Sequence, residues 1–102
     1  MMRGEIWWCD FHAFGRRPAL ILTRDTVIPL RTDVVVAAVT RRIRGIPTEV
    51  QLTDADGVPA ESAISFDNIY TVSKRQLLTR ITKLSGDRLD EVCEALRFAF
   101  AC

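Results

Sequence analysis

Apolar residues along the chain form short runs that are separated by polar and turn-forming residues. Residues 18–22 and the run within 33–40 are apolar at both odd and even positions, which is typical of strands that are buried on both faces. Residues 4–11 are rich in aromatic and β-branched side chains and predict an earlier strand. The pattern therefore predicts three strands in the first half of the chain.

The first of these strands has a clear alternation. Ile6 and Trp8 are expected on one face, and Trp7, Cys9 and Phe11 on the other, because successive side chains of a strand point to opposite sides. Of the aromatic side chains in and after this strand, most are expected to pack in the core; the four are Trp7, Trp8, Phe11 and Phe14.

Short elements continue in the second half, where clusters of Gly, Pro, Asp and Asn indicate turns and alternating apolar residues indicate strands. The expected elements are a basic turn at 41–45, strands at 47–52, 62–66 and 80–84, a turn at 54–59, a corner at Asp67 and Asn68, and a helical turn at 73–78.

A C-terminal helix is the clearest single element. Ser85 is a suitable N-cap, and acidic residues follow in the first turns, where the helix dipole favours negative charge. Phe98 lies off the expected apolar stripe and is expected to be exposed, either as a lone aromatic or as part of a partner contact. The stripe that should face the core is Leu89, Val92, Cys93, Leu96 and Phe100.

Composition limits the class of protein. A chain of 102 residues with 48% hydrophobic content suits one domain, spanning residues 1–102. The net charge is only +1, but residues 1–53 carry eight Lys and Arg against five Asp and Glu, whereas residues 54–102 carry six against eight. A basic half favours an acidic partner such as nucleic acid or an acidic peptide.

Several classes of chemistry are disfavoured. Cys9, Cys93 and Cys102 are an odd number without the spacing of a zinc or redox pair, which suits a reduced, cytoplasmic location. No apolar run is long enough for a membrane span or a signal peptide. With His12 as the single histidine, neither a metal site nor a nucleophilic triad is predicted, and we expect no cofactor.

The candidate chemistry lies where the apolar strands begin and end. Pro18 restricts the backbone, so that Arg17 stands at a stiff strand entrance, and Thr40 closes the third strand. If both strand ends meet at one rim, a cation and a hydroxyl donor lie side by side, which suits a phosphate group. The other basic residues expected along this rim are Arg16, Arg41, Arg42 and Arg44.

The chain resembles the MazF/PemK family of toxin endoribonucleases of type II toxin-antitoxin systems. The motifs that carry the resemblance are Gly-Glu-Ile-Trp at 4–7, Arg-Pro-Ala-Leu-Ile-Leu at 17–22 and Val-Ala-Ala-Val-Thr at 36–40. Segments 46–50 and 67–72 and the final helix also agree, so that the resemblance covers essentially the whole chain.

The resemblance implies a mainly β fold, an SH3-like small barrel with a C-terminal helix, that forms a homodimer. It implies metal-independent, sequence-specific cleavage of single-stranded RNA, with a 2′,3′-cyclic phosphate product, and inhibition by a MazE-like antitoxin with an acidic C-terminal tail. Arg17 and Thr40 match the active residues of the family. Asp67 matches an acid of some relatives, and Asn68, beside it, joins the four rim arginines as an expected RNA-binding residue.

One segment departs from the family pattern. The first loop is usually longer and carries polar groups, whereas only residues 12–15 fill it here, so that His12 is a candidate to replace those groups. The general base is open between Asp67 and His12, and alignment of the 2′-hydroxyl without a dedicated base is a third option. Two other functions remain open: a CcdB-like toxin that binds gyrase, and an inactive SH3-like interaction module.

Overall fold

The computed structural model describes residues 1–101, and the prediction of a mainly β fold with a C-terminal helix is confirmed. Cys102, the third cysteine, lies outside the described residues. The strands pair in the order β4-β5-β3-β2-β1-β6 to form one antiparallel, curled sheet. The elements are β1 (Glu5–Asp10), β2 (Arg16–Ile21), β3 (Asp33–Thr40), β4 (Glu49–Leu52), β5 (Ser62–Ser73), β6 (Leu77–Lys83) and α1 (Gly86–Phe100).

Both faces of the curled sheet carry a hydrophobic core. Ala19, Leu20 and Ile21 of β2 are fully buried, with Leu20 in the core beneath α1 and its two neighbours in a second core on the opposite face. The prediction that this strand is buried on both sides is therefore confirmed. The alternation of β1 is also as predicted, since Ile6 joins the helix-side core and Cys9 joins the other.

The predicted corner at Asp67 and Asn68 is wrong, because β5 runs without interruption through both residues. Val39 pairs with Ile64 and Ala37 pairs with Ile69, so that residues 65–68 of β5 lie opposite Ala38 alone. A bulge of this kind bends a strand without ending it. The turn-forming residues mark the bend correctly, but the strand continues beyond it.

The boundaries of the neighbouring elements also differ from the predictions. β4 begins at Glu49 instead of residue 47, and β6 begins at Leu77 instead of residue 80. The expected helical turn before β6 is present as the 3₁₀ turn Lys74–Gln76, which Ser73 caps by accepting a hydrogen bond from the Arg75 amide. The turn ends at Gln76 instead of residue 78, because β6 pairs with β1 from Leu77 onward.

The helix begins directly after Ser85, whose hydroxyl accepts a hydrogen bond from the Arg88 amide at 3.3 Å. Val92 and Ala95 are buried against the sheet. Phe98 is 60% exposed, as predicted, but Phe100 is 55% exposed, and its inclusion in the core stripe is wrong. The buried face of the helix is centred on Val92 and Ala95, and Phe100 lies at the edge of that face. The small side chain of Ala95 therefore packs in the core, whereas the Phe100 ring stays exposed.

A short turn after β4 closes the open side of the sheet. Asp56 in this turn accepts two hydrogen bonds from Arg88 of α1, Nε to Oδ1 at 2.9 Å and Nη2 to Oδ2 at 3.2 Å. Thr82 of β6 donates from its hydroxyl to the Asp56 carbonyl at 3.0 Å. Gly57 follows with φ of +88°, and a Cβ there would stand 2.5 Å from the Thr82 hydroxyl, so that glycine is required.

Within residues 1–101, no helix has both the length and the apolar character needed to cross a bilayer.

Asp56→Asn should lower the free energy of unfolding by about 1.5–3 kcal/mol at pH 7, since it weakens hydrogen bonds to a charged partner. Burial raises the pKa of Asp56, but the bonds from Arg88 and from the Thr53 amide outweigh it and hold the pKa below its ordinary value of 3.8. The pair therefore stabilises the fold above that value and loses its contribution as pH falls through the lowered pKa. Denaturant unfolding at several pH values measures this.

The matched control is Asp54→Asn, in the same turn but exposed. Equal stability losses in the two variants at pH 7 would contradict the role of the Asp56–Arg88 pair in closing the sheet.

Candidate active site

The pairing of β2 with β3 brings Arg17 and Thr40 together. Ala19 pairs with Ala38, and continuing this antiparallel register by two residues sets Arg17 opposite Thr40. Both side chains line one cavity of about 250 Å³, which we call the aromatic cavity. The strand entrance and the strand end that carry the candidate chemistry therefore share one rim.

Three aromatic rings form one wall of this cavity. Phe11 and Tyr70 meet edge to face with ring centroids 5.3 Å apart, and Phe14 lies 5.8 Å from Tyr70. Phe14 is one aromatic side chain that does not pack in the core, because it is 54% exposed and faces the cavity. The polar wall is formed by Arg17, Thr40, Arg42, Arg44 and Asn68.

The hydroxyl of Thr40 is oriented by the chain that follows it. Its Oγ1 accepts a hydrogen bond from the Arg42 amide at 3.1 Å, which fixes the oxygen. Because a threonine hydroxyl has one hydrogen to donate and two lone pairs, this contact leaves the hydrogen available for a bound group. Thr40 is thus prepared to act as a donor.

The basic segment that follows β3 is held at its far end. The Arg44 amide donates to Glu49 Oε1 at 2.9 Å, and the Thr48 hydroxyl donates to Asp67 Oδ2 at 2.6 Å. Asp67 is exposed and lies outside the aromatic cavity, where its carboxylate holds the loop to β5. Its neighbour Asn68 does line the cavity and donates from Nδ2 to the Ser65 hydroxyl at 2.9 Å.

His12 lies in the short first loop with a side chain that is 74% exposed. Its φ of +58° is left-handed, and its amide donates to Asp10 Oδ1 at 2.8 Å. Its Nδ1 lies 3.6 Å from the same carboxylate oxygen. The imidazole does not line the aromatic cavity, although Phe11 and Phe14 on either side of it do.

A second cavity, of about 610 Å³, opens on the other side of the same rim. We call it the tryptophan cavity, because Trp8 forms part of its wall beside Pro18 and Pro59. It shares Arg17, Thr40 and Arg42 with the aromatic cavity. Of the five predicted RNA-binding residues, Arg16, Arg41 and Arg42 line the tryptophan cavity, and Arg42, Arg44 and Asn68 line the aromatic cavity.

The rim carries uncompensated positive charge. In the part of the chain that the structure describes, no salt bridge involves any of the five arginines at positions 16, 17, 41, 42 and 44. Arginine is always protonated and has a planar set of donors that matches phosphate. The arrangement suits a polyanion with groups that enter both cavities.

Other reactive groups near the rim are less suited to chemistry. Cys9 pairs with Arg17 in the sheet, but burial raises the pKa of its thiol to about 11, and the nearby Asp10 carboxylate adds to the rise. Cys9 is therefore a packed thiol, not a nucleophile. Residues 1–101 contain no group of three or more His, Cys, Asp and Glu side chains close enough to hold a metal ion.

Sequence reasoning missed Tyr70. A signal was available, because Tyr70 follows Asn68 by two residues, and residues two apart in a strand share a face. The predicted corner obscured this relation, since it ended the strand before Tyr70.

Fold and site together define a small curled β-sheet domain with an arginine-rich rim between two cavities. The family model described as "PemK-like, MazF-like toxin of type II toxin-antitoxin system" matches residues 2–100. The probable endoribonuclease MazF2 of Mycobacterium tuberculosis is 43% identical, covering 100% of both chains. The probable endoribonuclease MazF5 of the same organism is 40% identical, covering 98% of this chain and 93% of its own.

Solved structures give the same result. An endoribonuclease in complex with its cognate antitoxin from a mycobacterial species matches with a TM-score of 0.91 at 27% identity, covering 99% of this chain and 95% of its own. The M. tuberculosis toxin MazF-mt6 matches with a TM-score of 0.89 at 34% identity, covering 95% and 96%. The chain belongs to the PemK-like, MazF-like toxin family of type II toxin-antitoxin systems, and the fold class that the resemblance implied is confirmed.

Because like charges converge on the rim, Arg42→Gln should raise the melting temperature by about 1–3 °C at low salt. The gain should shrink at 0.5 M salt, where the Debye length falls to only about 4 Å. Calorimetry at two salt concentrations measures this, with Arg31→Gln as control, since Arg31 is paired with Asp33 at 2.8 Å. A lower melting temperature for Arg42→Gln at low salt would show that repulsion between the rim arginines does not destabilise the fold.

Proposed function

We propose that the chain, an endoribonuclease of the MazF-like toxin family, cleaves single-stranded RNA at specific sequences through attack of a ribose 2′-hydroxyl on the adjacent phosphorus. The observation that carries the proposal is the placement of Arg17 and Thr40 side by side in a cavity with an aromatic wall. Such a cavity offers donors for a phosphate and stacking surfaces for unpaired bases, which is the usual mode of single-stranded RNA recognition.

The reaction is a transesterification within the RNA. The 2′-oxygen forms a bond to phosphorus and loses its proton to a base, and the bond from phosphorus to the 5′-oxygen breaks as that oxygen gains a proton. The products are a 2′,3′-cyclic phosphate and a 5′-hydroxyl. Negative charge grows on the non-bridging oxygens in the transition state, so that donors directed at those oxygens lower the barrier.

Arg17 and Thr40 supply these donors. The guanidinium of Arg17 is permanently charged and is therefore a poor base but a strong electrostatic stabiliser. The Thr40 hydroxyl, fixed by the Arg42 amide, donates to the same phosphate. Because the positive charge comes from the protein, the reaction as proposed requires no metal ion.

For the proton transfers we propose His12 ahead of Asp67. The exposed imidazole lies between Phe11 and Phe14 in the chain, two rings of the aromatic wall, whereas the Asp67 carboxylate accepts a hydrogen bond from the Thr48 hydroxyl. Comparing the pH–rate profiles of His12→Gln and Asp67→Asn identifies the group, because removing a general base costs about 10²–10⁴ in rate. Wild-type rates in both variants would show that neither residue is the base, and that alignment of the 2′-hydroxyl is sufficient for its attack.

The RNA backbone is proposed to follow the rim from one cavity to the other. Arg44 and Asn68 contact it on the aromatic side, Arg16 and Arg41 on the tryptophan side, and Arg42 at the centre. Phosphate contacts of this kind position a strand without reading its sequence, so that the bases must be read by the cavity walls.

Two further proposals concern the assembly of the protein and its inhibition. A MazE–MazF complex of Deinococcus radiodurans matches this chain with a TM-score of 0.81 at 27% identity. We propose that this chain forms a homodimer and binds a MazE-like antitoxin whose acidic C-terminal tail covers the arginine rim. The apolar run at 18–22 does not supply the dimer surface, because Ala19, Leu20 and Ile21 are already buried within one chain. Exposed apolar side chains such as Leu30, Leu78 and Phe98 are available instead.

Arg17→Ala and Thr40→Val should each lower RNA cleavage by about 10²–10³, the usual effect of losing one preorganised donor to the transition state. Both side chains stand at the rim and not in a core, so that circular dichroism spectra and melting curves should stay close to the wild type. Single-turnover cleavage of a long RNA measures the effect, with Arg75→Ala as control, because Arg75 is an exposed arginine in the 3₁₀ turn after β5 that lines neither cavity. A well-folded Arg17→Ala protein with full activity would remove this mechanism.

Cleavage should persist in excess EDTA and leave 2′,3′-cyclic phosphate ends, because the nucleophile is internal and the charge stabilisation comes from arginine. An RNA with hydrogen in place of the 2′-hydroxyl at the mapped cut position should resist cleavage there while its other sites are still cut. Reversible inhibition by EDTA, or equal cleavage of the substituted position, would contradict internal attack without a metal.

An acidic peptide from the cognate antitoxin tail should inhibit in competition with RNA, and the inhibition should weaken as salt rises, because part of it is ionic. Light scattering on the free protein should give the mass of two chains. A strictly monomeric, active protein, or inhibition that saturating RNA cannot relieve, would overturn this arrangement.

A further inference from the structure

One buried hydroxyl in the tryptophan cavity has no protein partner. Ser62, at the start of β5, is 4% exposed, and within residues 1–101 its Oγ accepts and donates no hydrogen bond. Ser65, three residues further along the same strand and equally buried, does have a partner in Asn68. A buried polar group without a partner costs about 1–3 kcal/mol, so that its presence calls for a reason.

The position of Ser62 gives a reason for the unpaired hydroxyl. Ser62 lies on the wall of the tryptophan cavity, and Ala63, the next residue, pairs with Thr40 across β3 and β5. Ser62 therefore lines the same cavity as two residues that we assign to the scissile phosphate, Arg17 and Thr40. A group attached to that phosphate can enter the cavity and reach Ser62.

The chemistry of the walls indicates what that group is. Trp8, Pro18, Pro59 and Val39 give the cavity flat, apolar surfaces, and the arginines stand at its rim. The arginines suit the backbone phosphates, which leaves the apolar surfaces to another part of the nucleotide. A nucleobase fits, because it has two apolar faces to pack against rings and a polar edge that needs hydrogen bonds.

We propose that the tryptophan cavity binds the base of a nucleotide next to the scissile phosphate, and that the Ser62 hydroxyl determines which base is accepted. This proposal rests on the RNA-cleaving function above. The volume of about 610 Å³ leaves room for the base and its ribose. A serine hydroxyl both donates and accepts, so that it completes its hydrogen bonds with the matching base edge and remains unpaired with the wrong one.

Trp8 and Trp7 give the chain an internal comparison. They are adjacent on β1 and therefore point to opposite faces. Trp8 lines the tryptophan cavity, whereas Trp7 donates from Nε1 to Glu5 Oε1 at 3.1 Å and packs against the other core. Only Trp8 is placed to stack on a base.

The first test compares cleavage profiles on a pool of RNA with randomised sequence. Ser62→Ala should lower discrimination at one position beside the cut by about three- to tenfold, the effect of one neutral hydrogen bond, while cleavage itself continues. Its melting temperature should equal or exceed that of the wild type, because an unpaired buried hydroxyl is removed. Ser73→Ala, the same change at the far end of β5, should keep the wild-type profile. A Ser62→Ala profile identical to the wild type would overturn the proposal.

The second test does not depend on cleavage. Short oligodeoxynucleotides lack the 2′-hydroxyl and cannot be cut by internal attack, and titrating them should quench tryptophan fluorescence when Trp8 stacks on a base. The quench should persist in Trp7→Phe, disappear in Trp8→Phe, and be absent with an abasic oligomer of the same charge.

The two tests separate the proposals. Wild-type cleavage with an unchanged Ser62→Ala profile refutes the base site and leaves the nuclease intact. A wild-type protein that cuts no RNA refutes the nuclease, and the fluorescence titration then decides the base site alone. Quenching by the abasic oligomer, or quenching retained in Trp8→Phe, would overturn the proposal of a base site.

Discussion

The antiparallel register between β2 and β3 is the constraint on which the site depends. With Ala19 opposite Ala38, Arg17 falls opposite Thr40, and both stand where the sheet ends. A shift of one residue would turn every side chain of β2 to the other face of the sheet. Such a shift is strongly opposed, because Leu20 belongs to one core and Ala19 and Ile21 to the other. The packing that stabilises the fold thus also fixes the distance between the two candidate catalytic groups.

The remaining elements act on this register from its two sides. The Asp56–Arg88 pair and the Thr82 contact hold the turn after β4 against β6 and α1, which keeps the sheet curled. The bulge in β5 opposite Ala38 directs Asn68 and Tyr70 toward the aromatic cavity. The arginines at the rim repel one another, and within residues 1–101 none of them forms a salt bridge, so that a bound polyanion would relieve the repulsion.

Much of the fold could be predicted from local pattern. The alternation of residues 4–11, the unbroken apolar runs and the Ser85 cap are local properties, and the structure confirms each of them. The failures at Asp67 and at Phe100 share a cause. A bulge depends on the partner strand, and the edge of a helix stripe depends on which neighbour fills the space, so that neither can be read from one segment alone.

The site was predictable to a similar extent. Arg17 and Thr40 stand out because a proline and a strand end mark them, and the rim arginines follow from the basic excess of the first half. Tyr70 carries a local signal, since it follows Asn68 by two residues on one strand, but Ser62 could not be placed in this way, because the cavity that it lines is formed by segments far apart in the chain. A buried hydroxyl without a partner is visible only when the whole structure is known.

The central claim is that Arg17 and Thr40 act on one phosphate. A double-mutant cycle on kcat/KM tests it most directly, with Arg17→Ala, Thr40→Val and the double variant compared on one RNA substrate. Groups that share a transition state are strongly non-additive. We predict that the loss of the double variant is at least about tenfold smaller than the product of the two single losses, a coupling of about 1.4 kcal/mol. A double loss equal to that product, with both single variants folded, would show that the two residues act independently and would contradict the account.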